Sequence, residues 1–285
     1  MRRVDLHVHS YYSCDGDYSP RELVNMASNN GLKAMALTDH NTVNGLSEAF
    51  AAGGEIGFEV VPGIEIDTSY LGRTFHILGY CLDWKSRRLA ELIETLETTQ
   101  KRLITDLVSG LRDAGFGING SDVLRYKNKQ SIPGSLTIAK AILGDRSDRD
   151  GHYLDFMQKH IAPIVPERYQ QELPATEEVI QLINDLQGVA VLAHPGVYVD
   201  PNSQEELEII STFREMGLKG IEAFSTYHNS TDNIGFYEFG VKKKLLITAG
   251  SDFHGELKPQ TKLGVVPSVD FPILEMLREE CRYRW

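Results

Sequence analysis

No stretch of this 285-residue sequence approaches the roughly 18 unbroken apolar residues of a membrane span, so a membrane partner is not expected. Cysteine is scarce. Cys14, Cys81 and Cys281 are odd in number, widely spaced and without a C-x-x-C pair, which argues against a thiolate zinc site and predicts reduced thiols rather than a disulfide framework. Positive charge is short as well, with 29 Lys and Arg against 40 Asp and Glu and a net charge of −11. A grip on long nucleic acid needs a basic surface that displaces counterions, so that partner is not expected either. The N-terminus, Met1-Arg2-Arg3-Val4-Asp5, runs into a charged strand with no apolar leader core, and a cytoplasmic location is expected. Nothing in the sequence speaks to oligomeric state.

What is present suits a folded enzyme. With 41% hydrophobic residues the chain can bury one full core and carry a smaller appended unit. Val4–His9 reads as a strand, Pro20–Asn30 as a helix stopped by Gly31, Lys33–Thr38 as a strand, and Thr42–Ala52 as a helix. Phe58–Ile66 and Thr74–Cys81 read as further strands, and the alternation is that of parallel βα units. From about Arg87 to Leu186 the pattern changes. Leu89, Leu92, Ile93, Leu96, Leu103, Leu107 and Leu111 recur at helical spacing, with Gly144–Gly151 as a loop, so this stretch reads as a helical insertion. The βα rhythm returns with strands at Val189–Ala193, Lys219–Phe224 and Leu245–Ala249, helices near Gln204–Met216 and Asp232–Lys243, a β-like Leu263–Val266 and a C-terminal helix. The organisation expected is barrel (1–86), helical cap (87–186), barrel (187–285).

His7-Val8-His9 places two imidazoles two residues apart on a strand, where i and i+2 share a face and can address one ion. Asp15, Asp39-His40, Glu65, His76, His194 and Asp252-Phe253-His254 follow at or near the ends of successive strands. In a barrel those ends converge on one face. Six of the nine histidines fall there; His152, His160 and His228 do not fit as ligands. Imidazole and carboxylate without thiolate suit Zn, Mn or Fe, whereas calcium takes oxygen almost throughout. Nine ligands at about three or four per ion would serve two or three divalent metals. Asp39, beside His40, is expected to orient a neighbouring group from behind the ligands. His228, just past the sixth strand, is a candidate phosphate contact or proton donor.

These motifs resemble the PHP (polymerase and histidinol phosphatase) family of the amidohydrolase superfamily: Asp5-Leu6-His7-Val8-His9, Cys14-Asp15-Gly16, Thr38-Asp39-His40, Pro62-Gly63-Ile64-Glu65, His76, Ala193-His194-Pro195-Gly196 and Gly250-Ser251-Asp252-Phe253-His254. The resemblance implies an α/β fold, a distorted (β/α)7 TIM-like barrel with a trinuclear site. In it His7, His9, Glu65 and Asp252 hold one metal, Asp15, His40 and His254 a second, and Glu65, His76 and His194 a third, with Glu65 bridging. Metal-activated hydroxide would attack the phosphorus of a small phosphorylated substrate.

Length and insertion look most like the small-molecule phosphoesterase branch, which includes enzymes acting on nucleoside 3′,5′-bisphosphates. There, arginines commonly read the substrate, one directly after the His-Pro-Gly motif and one in the insertion. Here Val197 follows Gly196, and Ser131-Ile132-Pro133-Gly134-Ser135 has no arginine. Hydrolysis of a sugar cyclic phosphodiester therefore competes with bisphosphate or short-oligonucleotide hydrolysis as the expected activity. A metal-dependent amidohydrolase and a non-catalytic metal-binding module are the remaining alternatives. Arg102, Arg112, Arg125, Lys127, Lys129 and Arg168 could face the mouth of the site, although helix charges usually form a solvated face.

Overall fold

A computed structural model describes residues 4–127, 131–144, 152–255, 258–266 and 272–281. The elements run β1 (Val4–Val8), α1 (Pro20–Asn29), β2 (Ala34–Leu37), α2 (Leu46–Ile56), β3 (Glu59–Tyr70), β4 (Arg73–Tyr80) and α3 (Arg87–Asp113). Then come α4 (Gly120–Tyr126), α5 (Ser135–Leu143), α6 (His152–Phe156), α7 (Glu167–Glu172) and α8 (Thr176–Asp185). The chain ends with β5 (Val189–Leu192), α9 (Gln204–Glu215), β6 (Gly220–Ser225), α10 (Ser230–Lys243), β7 (Leu246–Gly250) and α11 (Ile273–Glu280).

The seven strands form one sheet in sequence order, and a bridge between Val8 and Phe253 brings its two edges together. β1, β2 and β3 are parallel, as are β5, β6 and β7, but β4 is antiparallel to both neighbours. This departs from the all-parallel βα reading of the sequence. The cause is local: Leu71 and Gly72 both take positive φ, 49° and 71°, between the paired Tyr70 and Arg73. Such a two-residue turn matches strand twist and makes an antiparallel hairpin where parallel pairing was expected. The reversal has a functional consequence. It sets the N-terminal half of β4, with His76, beside the C-terminal half of β3, where Asp67 is its register partner.

Helix α1 starts on a capping box between Ser19 and Glu22, with Pro20 at its first position. α2 begins at Leu46 rather than Thr42, because Asn41 takes φ 53° and the Thr42 hydroxyl accepts the Asn44 amide in a turn of its own. Leu263–Val266 is not a strand: Gly264 takes φ 77° and its amide donates to the buried Asp5 carboxylate, which fixes a turn.

Fully buried Ile64, Ile66, Phe75, Ile77 and Val191 lie in the main core between the strands and their covering helices, and α8 packs on β3, β4 and β5. Leu89 and Leu96 of α3 join this core, whereas Leu103, Leu107 and Leu111 join a separate cluster with Ile118, Leu136, Ile138 and Phe156. α3 thus spans both, its first turns on the barrel and its last turns in this second cluster of helices, the cap.

Cys81 and Cys281 are disulfide-bonded across 200 residues, with Cα atoms 5.7 Å apart, which corrects the expectation of three free thiols. Spacing along the chain carried no hint of it, because only the docking of α11 through Ile273, Leu274 and Leu277 brings Cys281 to the end of β4. Cys14 is free. A bond closing so long a loop typically contributes about 2–4 kcal/mol. Cys281→Ser should therefore lower the thermal midpoint by roughly 5–10 °C. Turnover should be unchanged at 25 °C, since Cys81 follows the end of β4 remote from His76; calorimetry and a rate assay check this.

Candidate metal centre

The first two imidazoles come from β1 and the residue beyond it. His7 and His9 are both fully buried. His7 Nδ1–H donates to Glu222 Oε1 at 3.0 Å, a tautomer set by an acceptor that cannot donate, so Nε2 is turned into the barrel mouth. His9 Nδ1 lies 3.0 Å from the Ser13 hydroxyl, which leaves its Nε2 facing the same space.

Glu65, at 0% exposure, stands at the centre. Its Oε2 lies 3.2 Å from Nε2 of His7, Nε2 of His9 and Nδ1 of His40, and its Oε1 lies 3.0 Å from His76 Nδ1 and 3.1 Å from His194 Nε2. Five imidazoles from four separate parts of the chain thus surround one carboxylate. Asp252 Oδ1 lies 2.9 Å from His9 Nε2 and 3.3 Å from His7 Nε2; Asp15 Oδ2 lies 3.2 Å from His254 Nε2 and 3.8 Å from His40 Nε2. All nine residues expected as ligands are therefore neighbours.

Their donor atoms form four overlapping sets whose members lie within 4.8 Å of one another: His9, Asp15, His40 and His254; His7, His9, Glu65 and Asp252; Glu65, His76 and His194; and His40, Asp67 and His76. Lone pairs point at lone pairs. His7 Nε2, His9 Nε2, His254 Nε2, Glu65 Oε2, Asp252 Oδ1, Asp15 Oδ1 and Asp67 Oδ1 are buried and have no hydrogen-bond partner. Orphaned acceptors converging in low dielectric repel one another unless cations or protons sit among them, so the donor set fits divalent metal ions. Without metal, protons must do that work. Burial opposes it, yet Glu65, Glu222 and Asp252 push His7 well up, and Glu65 and Asp15 push His40 to about 10. Against the same burial, the imidazoles hold Glu65 well below the usual carboxylate range.

Two ligand-type residues sit in backbone conformations that cost energy: His194 at φ 27° and Asp252 at φ 53°. The His194 amide donates to Glu222 Oε2 at 2.8 Å, so a single carboxylate orients His7 and pins His194. Asp252 is held from both sides. Ser251 gives its amide and hydroxyl to the buried Asp5 carboxylate, and Phe253 bridges to Val8. Gly250 is required here, because a Cβ would lie 2.2 Å from His7 Cβ and 2.3 Å from Glu222 Oε1.

Asp39 belongs to none of the ligand sets. Its carboxylate accepts the Ser10 amide at 2.6 Å, the Ser10 hydroxyl at 2.7 Å and the Ser13 hydroxyl at 3.1 Å, so it reaches His9 only through Ser13. His228 departs from the expected phosphate contact. Its Nδ1–H donates to the Ala223 carbonyl at 3.1 Å, its Nε2 accepts the Gly196 amide at 2.9 Å, and burial pushes its pKa down. With both nitrogens committed to backbone, the neutral ring braces the turn after His194. Gly196 permits that approach, since a Cβ there would lie 2.5 Å from the His228 ring. His160, given no role, packs against Phe116 and Phe156 in the cap.

Four residues of the site were not anticipated. Glu222 and Asp5 are carboxylates inside otherwise apolar strands, a signal the sequence did carry. Asp67 lies two residues after Glu65 on the same face of β3, with Oδ1 3.5 Å from both His40 Nδ1 and His76 Nε2. Lys258 donates to Asp252 Oδ2 at 2.8 Å and had no legible signal in its loop.

A cleft of about 330 Å³ opens between these residues and the cap, bordered by Asp15, His40, Asp67 and His76 on one side and α3 on the other. Arg102 pairs with Glu172, Arg125 with Asp122 and Arg168 with Asp106, and none of them borders the cleft; nor does Arg112. Lys129 lies outside the described residues, as do positions 145–151 of the expected loop.

Similarity to known proteins agrees with this geometry. The chain is 28% identical to a 3′,5′-nucleoside bisphosphate phosphatase of Chromobacterium violaceum, over 89% of its length and 88% of the relative's. It is 29% identical to a phosphoribosyl 1,2-cyclic phosphate 1,2-diphosphodiesterase of Eggerthella lenta, over 94% and 98%. To a 5′-3′ exoribonuclease of Haemophilus influenzae the identity is 27%, over 96% and 98%. A solved amidohydrolase structure from Chromobacterium violaceum with bound sulfate superposes with a TM-score of 0.83 at 27% identity, covering 98% of this chain and 96% of that one. The model of the PHP domain matches residues 5–188, through β1, the β3–β4 hairpin and the cap, and on that match the chain belongs to the PHP domain family.

Proposed function

We propose that the protein is a metal-dependent phosphoesterase of small phosphorylated metabolites that binds two or three divalent cations, Mn, Fe or Zn. One observation carries this reading: Glu65 with its oxygens among five imidazole nitrogens, in a pocket of unpartnered buried acceptors. His7, His9, Glu65 and Asp252 would hold one ion, Asp15, His40 and His254 a second, and Glu65, His76 and His194 a third. Bound cations supply Lewis acidity, lowering the pKa of water toward about 7 and offsetting charge on phosphoryl oxygens. The protein's own residues do the rest. Glu222 sets the tautomer of His7, Asp39 acts on His9 through Ser13, and His228 keeps the His194 turn in place.

The names of the relatives support phosphate ester chemistry, and sulfate in the Chromobacterium structure has the shape and charge of a phosphoryl group. Phosphodiester cleavage of a sugar cyclic phosphate is the second reading, favoured by the Eggerthella relative, which is matched almost end to end. No described helix is long and apolar enough to cross a membrane. The cytoplasm remains part of the proposal, and the Cys81–Cys281 bond counts against it, because that compartment keeps thiols reduced.

Manganese-loaded protein should be offered nucleoside phosphates, sugar phosphates, cyclic phosphodiesters and short oligoribonucleotides. Turnover of at least one small ester is expected, with phosphate release marking a monoesterase. Full metal content with no turnover of any ester would overturn the phosphoesterase reading.

A further inference from the structure

The residues that roof the cleft say something about the part of the substrate that is not phosphate. α3 lines it with Leu96, Glu97, Gln100 and Leu103, and Ile132, Leu136, Met157 and Val165 border it as well. Leu96 and Leu103 are almost wholly buried, one in the barrel core and one in the second cluster, and hold this wall rigid, while half-buried Ile132, Met157 and Val165 offer apolar surface to the cleft. Two amide side chains of the cleft are already engaged. Gln100 donates to the Pro133 carbonyl at 3.2 Å and lies 3.4 Å from the Tyr169 hydroxyl, while Asn41 exchanges hydrogen bonds with Asp67. Beyond the histidines, the charged side chains on this rim are carboxylates: Asp15 and Asp67 at the floor and Glu97 on the roof, its side chain 34% exposed and 3.4 Å from Lys101.

We infer that the group esterified to the phosphate is uncharged and presents a flat apolar face, as a nucleoside does, and that the cleft disfavours a second phosphate. The inference rests on the phosphoesterase reading and deepens it. A second phosphate seated under this roof would lose its water against hydrocarbon and meet Glu97 at close range, both unfavourable where dielectric is low. A ring laid against Ile132, Met157 and Val165 gains instead from leaving water. Among the described residues no Lys or Arg borders the cleft. Lys127 and Lys140 line a smaller cleft that adjoins this one at Cys14, Asp15 and Leu136, where Lys140 lies 3.6 Å from Asp17 and Lys127 donates to the Ser131 carbonyl.

The test compares adenosine 5′-monophosphate with adenosine 3′,5′-bisphosphate on the manganese-loaded protein. The monophosphate should have the higher kcat/KM by at least tenfold, and Glu97→Lys, at a half-exposed position where the fold tolerates change, should narrow that gap by raising the bisphosphate value. Equal or faster bisphosphate hydrolysis by the wild type overturns the inference and leaves the phosphoesterase reading standing. A bisphosphate preference that disappears in Lys140→Met overturns it too, by placing the second phosphate in the neighbouring cleft. If neither ester turns over although another small phosphate ester does, the nucleoside part of the inference is overturned and the phosphoesterase reading stands; if no ester turns over, that reading fails. Calorimetric affinities of the two nucleotides for the metal-loaded protein then decide the inference separately: bisphosphate binding as tight as monophosphate binding overturns it.

Discussion

Glu65→Gln should lower kcat/KM by at least about a thousandfold and strip the protein of most of its metal. Loss of an outer carboxylate that merely orients a ligand costs about 10–100-fold, and Glu65 touches five imidazoles itself, so a larger loss is expected. The amide keeps the shape but presents at most one oxygen, and its NH₂ must then face imidazole lone pairs. Metal analysis and steady-state kinetics read the two effects. A failure to fold would blur the result, so His194→Ala and Asp252→Ala serve as companions: each shortens one side chain at the barrel mouth and leaves Glu65 in place. Circular dichroism should show their folds retained while turnover vanishes. Near-normal rates in these two variants would contradict the site.

Metal loading should release protons at neutral pH and raise the thermal midpoint. His40 has its pKa raised from 6.5 to about 10 by Glu65 and Asp15, against burial, so the metal-free folded state holds a proton that the unfolded state sheds above pH 6.5. The sign follows: this contribution to metal-free stability is full below about pH 6.5 and lost as pH rises through about 10. A divalent ion needs the same nitrogen unprotonated, so binding expels the proton and affinity should rise with pH. Calorimetric enthalpies of Mn²⁺ binding should therefore depend on the ionisation enthalpy of the buffer at pH 7. Independence from buffer would show that the imidazoles are neutral before metal arrives. At a hundredfold excess over Kd each site contributes about 2.7 kcal/mol. That corresponds to roughly 5–10 °C for a chain of this size, and chelation should reverse it along with turnover.

Much of the centre was legible in the chain because metal ligation depends on residue type and on short periods. His7 and His9 share a strand face by the two-residue repeat, and Asp39-His40, Glu65, His194 and Asp252-His254 follow apolar strands, so their convergence follows once a barrel is assumed. His76 was found for an incomplete reason. It belongs to the mouth because β4 runs backwards, a consequence of the Leu71-Gly72 turn and not of a βα repeat. His228 was misjudged because a loop position says nothing about which backbone groups its nitrogens meet. Glu222 and Asp5 were overlooked although a carboxylate in a buried strand must be answered by donors, and each is.

The sequence by itself determined the donor types, their strand-end spacing and the alternation that makes an α/β barrel, since these follow from local periodicity and side-chain chemistry. The tertiary structure alone decided which nitrogen of each imidazole turns into the shared space at the barrel mouth, that Glu65 sits among five imidazoles, that Cys81 meets Cys281, and that α3 with Glu97 roofs the cleft. Those outcomes depend on contacts between residues tens to hundreds of positions apart. Long-range packing sets such distances, and no local pattern encodes them.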